Sequence, residues 1–360
     1  MARIGVNALY LIPGGVGGTE IYLRELLAAL ARIDTTNDYF VFANLETAAD
    51  LIPKQSNFHW KPQAVHAESR PARILWEQFA LPIEASRYKL DVLFNPGFTG
   101  PLLGRCPSVT VFHDLQHKRH PEYFRWFDLP FWKLLLWMSA HRSRRLIAVS
   151  EATRADILQF YRIPASRVGV VHHGVDAALR SLPPSSGEKI LLCVSTLHPH
   201  KNLDRLIRAY ARRKRDFKLV IAGMRGFYAD AIDKLIAELG VGDSVTITGW
   251  IPRDDLYKLY ARAHAFVYPS TFEGFGMPVL EAMAAGIPVA CSDIPPLREV
   301  AGETAWFFDP LSEDAISDAL HRILSDNELR RTLAAAGRDR AKPFTWERTA
   351  EETLRVLLSK

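Results

Sequence analysis

Apolar and polar positions along this chain follow two rhythms, short continuous apolar runs and longer stretches with a helical period. RIGVNAL at the start leads into PGGVGG, and TEIYLRELLAALARI follows with Ile21, Leu23, Leu26, Leu27, Leu30 and Ile33 at near-helical spacing. YFVFAN, DVLFNP, SVTVFHD and RLIAVS are short apolar runs closed by Asn, Pro, Asp or Ser, as strands buried on both faces would be. Segment 172–189, HHGVDAALRSLPPSSGEK, is rich in Pro, Ser and Gly and reads as an interdomain linker. A second series begins after it. KILLCVST, FKLVIAG, SVTITGW, AFVYPS, IPVACSD and TAWFFDP read as strands, separated by helical patterns such as NLDRLIRAYARRK. Repeated strand-helix alternation predicts an α/β protein with two Rossmann-like, doubly wound parallel sheets facing each other across a cleft. Ligands bind at the carboxyl ends of strands in such sheets, so the cleft is where chemistry is expected.

Composition narrows the class without naming a function. The 360 residues suffice for two domains, and 48% apolar with 24% charged residues is the balance of a soluble globular protein. No apolar run reaches the roughly 18 residues of a spanning helix. The nearest, LPFWKLLLWMSA (129–140), is shorter and contains Pro130 and Lys133. The first fifteen residues read as a strand entering a glycine loop, not as a signal peptide. Cys106, Cys193 and Cys291 are odd in number and widely spaced, which gives neither a disulfide framework nor zinc spacing and points to the reducing cytosol. The net charge of +5 is unevenly placed. Between Lys118 and Arg145 seven basic side chains face Glu122 and Asp128, a local surplus equal to that of the whole chain.

The chemistry-bearing stretches lie where strands end. PGGVGGTE (13–20) joins the first strand to the first helix, and its glycines let backbone N–H groups approach an anion; a flexible turn explains it equally well. His113 and Asp114 follow a strand directly, where a histidine can bond a substrate hydroxyl, or the pair can simply close a turn. His117 and His120 lie nearby without repeated metal-ligand spacing. Lys201 falls at the start of a helix with Asn202 or Asp204 as caps, a place unsuited to a cation unless it faces a phosphate. Arg225 stands between two glycines in AGMRGFY, after the next strand, so the two cations together suggest a diphosphate clamp. In TFEGFGMPVLEAMAAG (271–286) Pro278 suits a first helical turn and Gly286 a C-terminal cap. The helix N-terminus offers N–H groups to an anion, Glu281 lies one turn in where it could take two ribose hydroxyls, and Glu273 precedes the turn within reach of a sugar. Dipole complementarity alone accounts for Glu281, but not for the Glu-Gly-x-Gly loop before it.

FEGFGMPVLEAMAAGIPVACSD, with Glu273 and Glu281 separated by seven residues, resembles the E-x(7)-E motif of the retaining glycosyltransferases of family 4, which have the two-Rossmann GT-B fold. TGWIPRDDLYKLYARAHAFVYPS, HPHKNLDRLIRAY, AGMRGFY and GGVGG fit the same family in order, and the resemblance spans nearly the whole chain. It implies a nucleotide-sugar donor held mainly by a C-terminal domain, 190–344, with an N-terminal acceptor domain, 1–174, to which the last helix, 345–360, returns. By resemblance Glu281 holds the ribose, Lys201 and Arg225 the diphosphate, and Gly249 to Ile251, with Trp250, lie near the base. Glu273 and the backbone of Gly274, Phe275, Gly276 and Met277 hold the donor sugar. His113 matches the histidine beside the anomeric carbon, and Gly15, Gly17 and Gly18 match a loop closing over the donor. Thr196 stands at roughly the place where many members carry an arginine, and the Glu-Pro-Arg-Lys-Asn of one subgroup of the family is here His198-Pro199-His200-Lys201-Asn202, so Arg225 or a histidine would have to compensate. His113, Glu273 and Lys201 are the expected catalytic groups, with no metal and no other cofactor.

The acceptor side rests on weaker signals. Asp114, Tyr123 and Ser150 are candidates there by position. Segment 121–146 carries seven aromatics between Tyr123 and Trp137 within the basic cluster. It reads either as a surface meeting an anionic membrane that presents a lipid-linked acceptor, or as a core helix with a solvated basic face. No nucleic-acid recognition motif accompanies the basic helices. The expected activity is transfer of a hexose from a nucleotide-diphosphate sugar, GDP-mannose-like or carried by UDP or dTDP, to a glycan or lipid-linked acceptor. A two-Rossmann nucleotide-sugar epimerase and an inactive donor-binding scaffold are the alternatives.

Overall fold

The computed structural model describes residues 1–14, 17–183, 188–213 and 216–359, and these form two compact units. The first is Met1–Gly174 with Phe344–Lys360, the second Val175–Pro343. In chain order the first unit contains β1 (Arg3–Ala8), α1 (Gly18–Ile33), β2 (Asp38–Ala43), β3 (Phe58–Pro62), α2 (Arg70–Leu75), α3 (Leu81–Arg87), β4 (Val92–Asn95) and β5 (Ser108–Phe112). It continues with α4 (Gln116–Arg119), α5 (Leu129–Arg142), β6 (Arg145–Ala148), α6 (Glu151–Tyr161) and β7 (Val168–Val170), and is joined by the C-terminal helix, Trp346–Leu358. The second contains α7 (Ala177–Arg180), β8 (Glu188–Val194), α8 (Leu203–Ala211), β9 (Lys218–Ala222), α9 (Ala229–Glu238), β10 (Val245–Gly249), α10 (Arg253–Arg262) and β11 (Ala263–Tyr268). After these come α11 (Met277–Ala284), β12 (Val289–Ser292), α12 (Pro295–Ala301), β13 (Trp306–Phe308), α13 (Glu313–Ser325) and α14 (Asn327–Ala341).

Both sheets are parallel throughout. Their orders are β3-β2-β1-β4-β5-β6-β7 and β10-β9-β8-β11-β12-β13. Each order runs outward from a first strand, then reverses and runs the other way, as in a Rossmann sheet, which opens a crevice at the reversal. In the second unit the reversal lies between β8 and β11, and alternation explains the core there. Leu191 and Cys193 of β8, Leu219 and Ile221 of β9, and Ala265 and Val267 of β11 recur with period two. They pack on Leu206 and Ile207 of α8 and on Leu320 and Ile323 of α13, whose apolar stripes have helical period.

In the first unit Phe112, Leu146 and Ala148 pack against Leu136 of α5 and Ile157 and Tyr161 of α6. Leu9, Phe42 and Leu93 pack against Leu81 and Ala85 of α3. The C-terminal helix lies on α1, with Arg32 paired to Glu347 at 2.7 Å and Thr349 Oγ1 donating to the His172 carbonyl at 2.8 Å. Gly174 allows this approach, since a Cβ there would overlap the backbone of Trp346. A π turn, Trp76–Ala80, joins α2 to α3 and brings Glu77 and Gln78 inward. Glu77 Oε2 accepts from Asn7 Nδ2 and Thr99 Oγ1, both at 3.0 Å, which ties β1 to the loop after β4.

The segment expected to be a plain linker differs: it contains α7, capped by Asp176, and the second unit starts at Val175 rather than at 190. Strands β3 and β7 have no counterpart in the sequence reading. FHWKP and VGV are too short and too weakly apolar to announce themselves.

Candidate active site

The crevice of the second sheet is built by the loops after β8 and β11. Beyond β8 the chain makes a 3-10 turn over Pro199–Lys201 and enters α8 through Asn202 at φ 57°. Asn202 sits at the cap position but does not cap α8, which corrects the sequence reading. Its buried Nδ2 instead donates to the carbonyls of Pro269 (3.0 Å) and Pro310 (2.8 Å), two acceptors that would otherwise be orphaned inside the protein. The His200 carbonyl accepts from Thr271 N–H (2.8 Å) and Ser270 Oγ (3.1 Å). These bonds clamp the two loops together and set Lys201 opposite Glu273.

Each glutamate of the motif is held by a buried tyrosine. Lys201 Nζ donates to Glu273 Oε1 at 2.6 Å and to Tyr268 OH at 3.2 Å, and Tyr268 OH donates to the same carboxylate oxygen at 2.8 Å. Tyr260 OH donates to Glu281 Oε2 at 2.9 Å. Burial pushes the Glu281 carboxyl up to about 7, while the Tyr260 bond and Arg253 pull it back toward ionisation. Arg253, Tyr257 and Asp176 form a neighbouring chain, Tyr257 OH donating to Asp176 at 2.6 Å and Arg253 pairing with the same oxygen at 3.2 Å. Sequence reasoning missed Tyr260, Tyr268 and the structural role of Asn202. YARAHAFVYPS reads as core aromatics, and only the fold aims their hydroxyls at the two acids.

No side chain caps the N-terminus of α11, where Gly276 stands at φ 104° and Pro278 fills the first turn. A Cβ on Gly276 would strike Leu297 Cδ2, so both dihedral and space call for glycine. Gly274 and Phe275 are buried, while Met277 is half-exposed at the helix start. Thr196 lies on the β8 loop, bonded to the loop after β9 through Leu197 N–H and the Met224 carbonyl at 3.0 Å. Gly223 and Gly226 permit that close approach. Arg225, between them, is exposed and pairs with Asp233 of α9. His198 meets His200 through their Nδ1 atoms at 2.6 Å and packs edge-on to Phe227 at 4.6 Å. Burial and Lys201 push His198 below the ordinary histidine range. Trp250 is exposed and Ile251 half-buried in the loop after β10.

In the first unit Gly17 precedes α1 at φ 59° and Gly18 begins it, whereas Gly15 lies outside the described residues. His113 follows β5 and is buried, its Nε2 bonded to the Pro96 carbonyl at 2.8 Å. A carbonyl only accepts, so Nε2 carries the proton and Nδ1 is left as an acceptor. Burial pushes the ring down to about 4 and keeps it neutral at pH 7. Tyr22, Phe98 and His173 pack edge-on or tilted around it, and Trp346 of the C-terminal helix stacks on His173. His173 and Trp346 had no signal in the sequence beyond their residue types. Asp114 Oδ1 accepts the Gln116 N–H at 2.8 Å, closing a turn. Tyr123 stacks on His120, and Ser150 is fully buried with its hydroxyl capping α6. Among the described residues no three His, Cys, Asp or Glu side chains are grouped to hold a metal ion.

Two family models match the chain, "Glycosyltransferase Family 4" over residues 16–179 and "Glycosyl transferases group 1" over residues 176–340. The O-antigen chain mannosyltransferase B of Escherichia coli is 32% identical over 284 residues, 74% of each chain. The MMP alpha-(1->4)-mannosyltransferase of Mycolicibacterium hassiacum is 34% identical over 266 residues, 69% of this chain and 64% of its own. Among solved structures, Anabaena HepE in complex with UDP-glucose superposes with a TM-score of 0.79 at 19% identity, covering 99% of both chains.

Proposed function

This chain belongs to the glycosyltransferases of group 1 and family 4, and on that premise we propose that it is a retaining enzyme using a nucleotide-diphosphate sugar. The favoured donor is GDP-mannose-like, since two of its relatives are named mannosyltransferases, and the acceptor is a glycan or a lipid-linked glycan in polysaccharide synthesis. UDP- and dTDP-sugars are the other donors to test. The observation that carries this reading is the clamped crevice in which Lys201, Glu273 and Glu281 line the strand-order reversal of the second sheet, beside an uncapped helix N-terminus. The Escherichia coli and Mycolicibacterium hassiacum relatives are both named transferases, which leaves the epimerase reading without support.

In this reading ionised Glu281 accepts hydrogen bonds from the two ribose hydroxyls, and Tyr260 keeps it oriented. Lys201 has three N–H donors and uses two on Glu273 and Tyr268, so the third serves a diphosphate oxygen. Arg225 reaches the same diphosphate from the bonded neighbouring loop, after leaving Asp233. Glu273 and the backbone from Gly274 to Met277 hold the sugar hydroxyls. His113 keeps the role the resemblance gives it, its Nδ1 accepting from a donor-sugar hydroxyl near the anomeric carbon.

The acceptor oxygen attacks the anomeric carbon on the face the diphosphate leaves. The bond to the phosphate oxygen breaks, the bond to the acceptor forms, and the acceptor's proton passes to the departing phosphate. Lys201, Arg225 and the N–H groups of α11 stabilise the charge growing on that leaving group, the kind of fixed electrostatics that contributes most to many enzymes. Because these groups supply the positive charge, a chelator should leave the rate unchanged. The test is turnover of GDP-mannose, UDP-glucose and dTDP-rhamnose with a panel of lipid-linked glycans, read as released nucleoside diphosphate, with NMR of the product. One donor consumed with its anomeric configuration kept supports the reading. An inverted product overturns retention, and no consumption of any donor overturns the whole reading.

A further inference from the structure

The strand-order reversal of the first sheet, between β1 and β4, has a buried carboxylate bonded to it. Glu77 is 3% exposed and stands in the π turn, a helix irregularity that recurs at functional sites. Burial raises its carboxyl above the ordinary range, while Asn7, Thr99, Arg73 and Gln78 pull it back. The hydrogen bonds around it take their direction from the backbone. Ser143 Oγ donates to the Ser139 carbonyl at 2.7 Å, so Thr110 Oγ1 is the donor in its own 2.7 Å bond to Ser143. Thr110 then accepts from Asn95 Nδ2 at 3.2 Å, and Asn95 Oδ1 accepts from Asn7 Nδ2 at 3.2 Å. On the other side Gln78 Oε1 accepts the Leu102 N–H at 2.8 Å, which turns Nε2 toward the Gly100 carbonyl and Glu77, both at 3.2 Å. Asn7 Nδ2 and Gln78 Nε2 therefore aim hydrogens at Glu77, as Thr99 Oγ1 does at 3.0 Å, and an ionised carboxylate accepts from all three.

The loop held in this way carries the surroundings of His113. NPGFTG (95–100) is tied at its start through Asn95 to Asn7, and at its end through Thr99 and Gly100 to Glu77 and Gln78. Between these ties Pro96 supplies the carbonyl that accepts from His113 Nε2 at 2.8 Å, and Phe98 packs edge-on to the His113 ring at 5.2 Å. Phe98 stands at φ 70°, a left-handed conformation that a bulky residue keeps only where its surroundings hold it. Thr99 N–H donates to the Gly97 carbonyl at 2.8 Å, and a Cβ on Gly100 would overlap the Asn95 amide, so the loop is also closed tightly on itself.

We propose that Glu77 is a positioning residue for the transfer reaction: through Asn7, Gln78 and Thr99 it holds loop 95–100 so that the Pro96 carbonyl keeps the proton on His113 Nε2 and leaves Nδ1 as the acceptor. The other tautomer would set a bare nitrogen against that carbonyl, so a loop that drifts away removes what excludes it. Glu77 acts through His113 and not on the reacting atoms. Its role rests on the reading in which His113 Nδ1 accepts from a donor-sugar hydroxyl.

The experiment compares Glu77→Gln, Thr99→Val and Thr99→Ser with wild type in the full chain. Glu77→Gln turns one acceptor into a donor, Thr99→Val removes the hydroxyl at nearly constant volume, and Thr99→Ser keeps it. Long-range proton–nitrogen NMR of histidine-labelled protein at pH 7, with His113 assigned through His113→Ala, reads the tautomer without any substrate. Wild type and Thr99→Ser should show His113 protonated at Nε2 alone, and Glu77→Gln and Thr99→Val a mixture of both tautomers. Unchanged signals from His59 and His117 show that the first unit is folded; if Glu77→Gln loses them, Thr99→Val decides. Transfer is read as nucleoside diphosphate released from GDP-mannose, UDP-glucose or dTDP-rhamnose with the panel of lipid-linked glycans. Its kcat should fall roughly tenfold to a hundredfold in Glu77→Gln and Thr99→Val, and stay near wild type in Thr99→Ser. Adding Thr99→Val to His113→Ala should cost nothing further, since both act through one group. A fixed Nε2 tautomer in Glu77→Gln and Thr99→Val, or the same loss of rate from Thr99→Val with and without His113, would overturn the proposal. A wild type that turns over no donor would instead count against the donor reading, and the tautomer measurement would still decide whether Glu77 positions His113.

Discussion

Glu281 ties the stability of the second unit to pH. Its carboxyl is raised from the ordinary 4.5 to about 7, so the folded state holds the proton more tightly than the unfolded chain. The stability that goes with the protonated form is complete below about 4.5 and is lost as pH rises through about 7. The Glu281→Gln variant lacks this dependence. In urea titrations its stability relative to wild type should rise between pH 4.5 and 7, by at most roughly 3 kcal/mol and by less to the extent that water reaches the side chain. Nucleotide affinity should move the other way, increasing with pH up to about 7, because the ribose hydroxyls need an ionised acceptor. Tyr260→Phe removes a bond that favours ionisation, so it should shift the midpoint of that affinity profile upward and weaken binding at pH 7. A merely structural loss would lower affinity without moving the midpoint.

At the scale of elements, Asn202 and Gly276 set the loops. Asn202→Ala loses two buried hydrogen bonds, strands two proline carbonyls and keeps a left-handed backbone that alanine disfavours. A loss of about 3 kcal/mol is expected in chemical denaturation, with weakened nucleotide binding. Gly276→Ala should cost roughly 1–3 kcal/mol at the entrance to α11. Much of this level was legible in the sequence. All eleven runs read as strands form strands, because a buried parallel strand is a continuous apolar run between turn residues. The Glu-Gly-x-Gly loop and its helix were likewise plain from Pro278 and the paired glutamates. Less legible was what depends on distance in three dimensions. Nothing in YARAHAFVYPS says that Tyr260 and Tyr268 point at the two acids, and nothing in HKN says that Asn202 reaches Pro310, 108 positions on.

At the scale of the whole chain, the first unit is discontinuous. Its C-terminal helix covers α1 and brings Trp346 onto His173, beside His113. Truncation after Pro343 should therefore destabilise the first unit while the second keeps its folded core, seen as early loss of one of two unfolding transitions by calorimetry. The charge surplus around 118–145 belongs to the first unit, and the crevice with the glutamate pair to the second.

The most direct test of the central claim is calorimetric titration of GDP, UDP and dTDP into wild type and Glu281→Gln from pH 5.5 to 8.5. One nucleotide should bind wild type with an affinity that climbs to about pH 7 and then levels, and should bind the variant weakly with no such climb. Binding of none of the three, or binding that Glu281→Gln leaves untouched, would contradict the account.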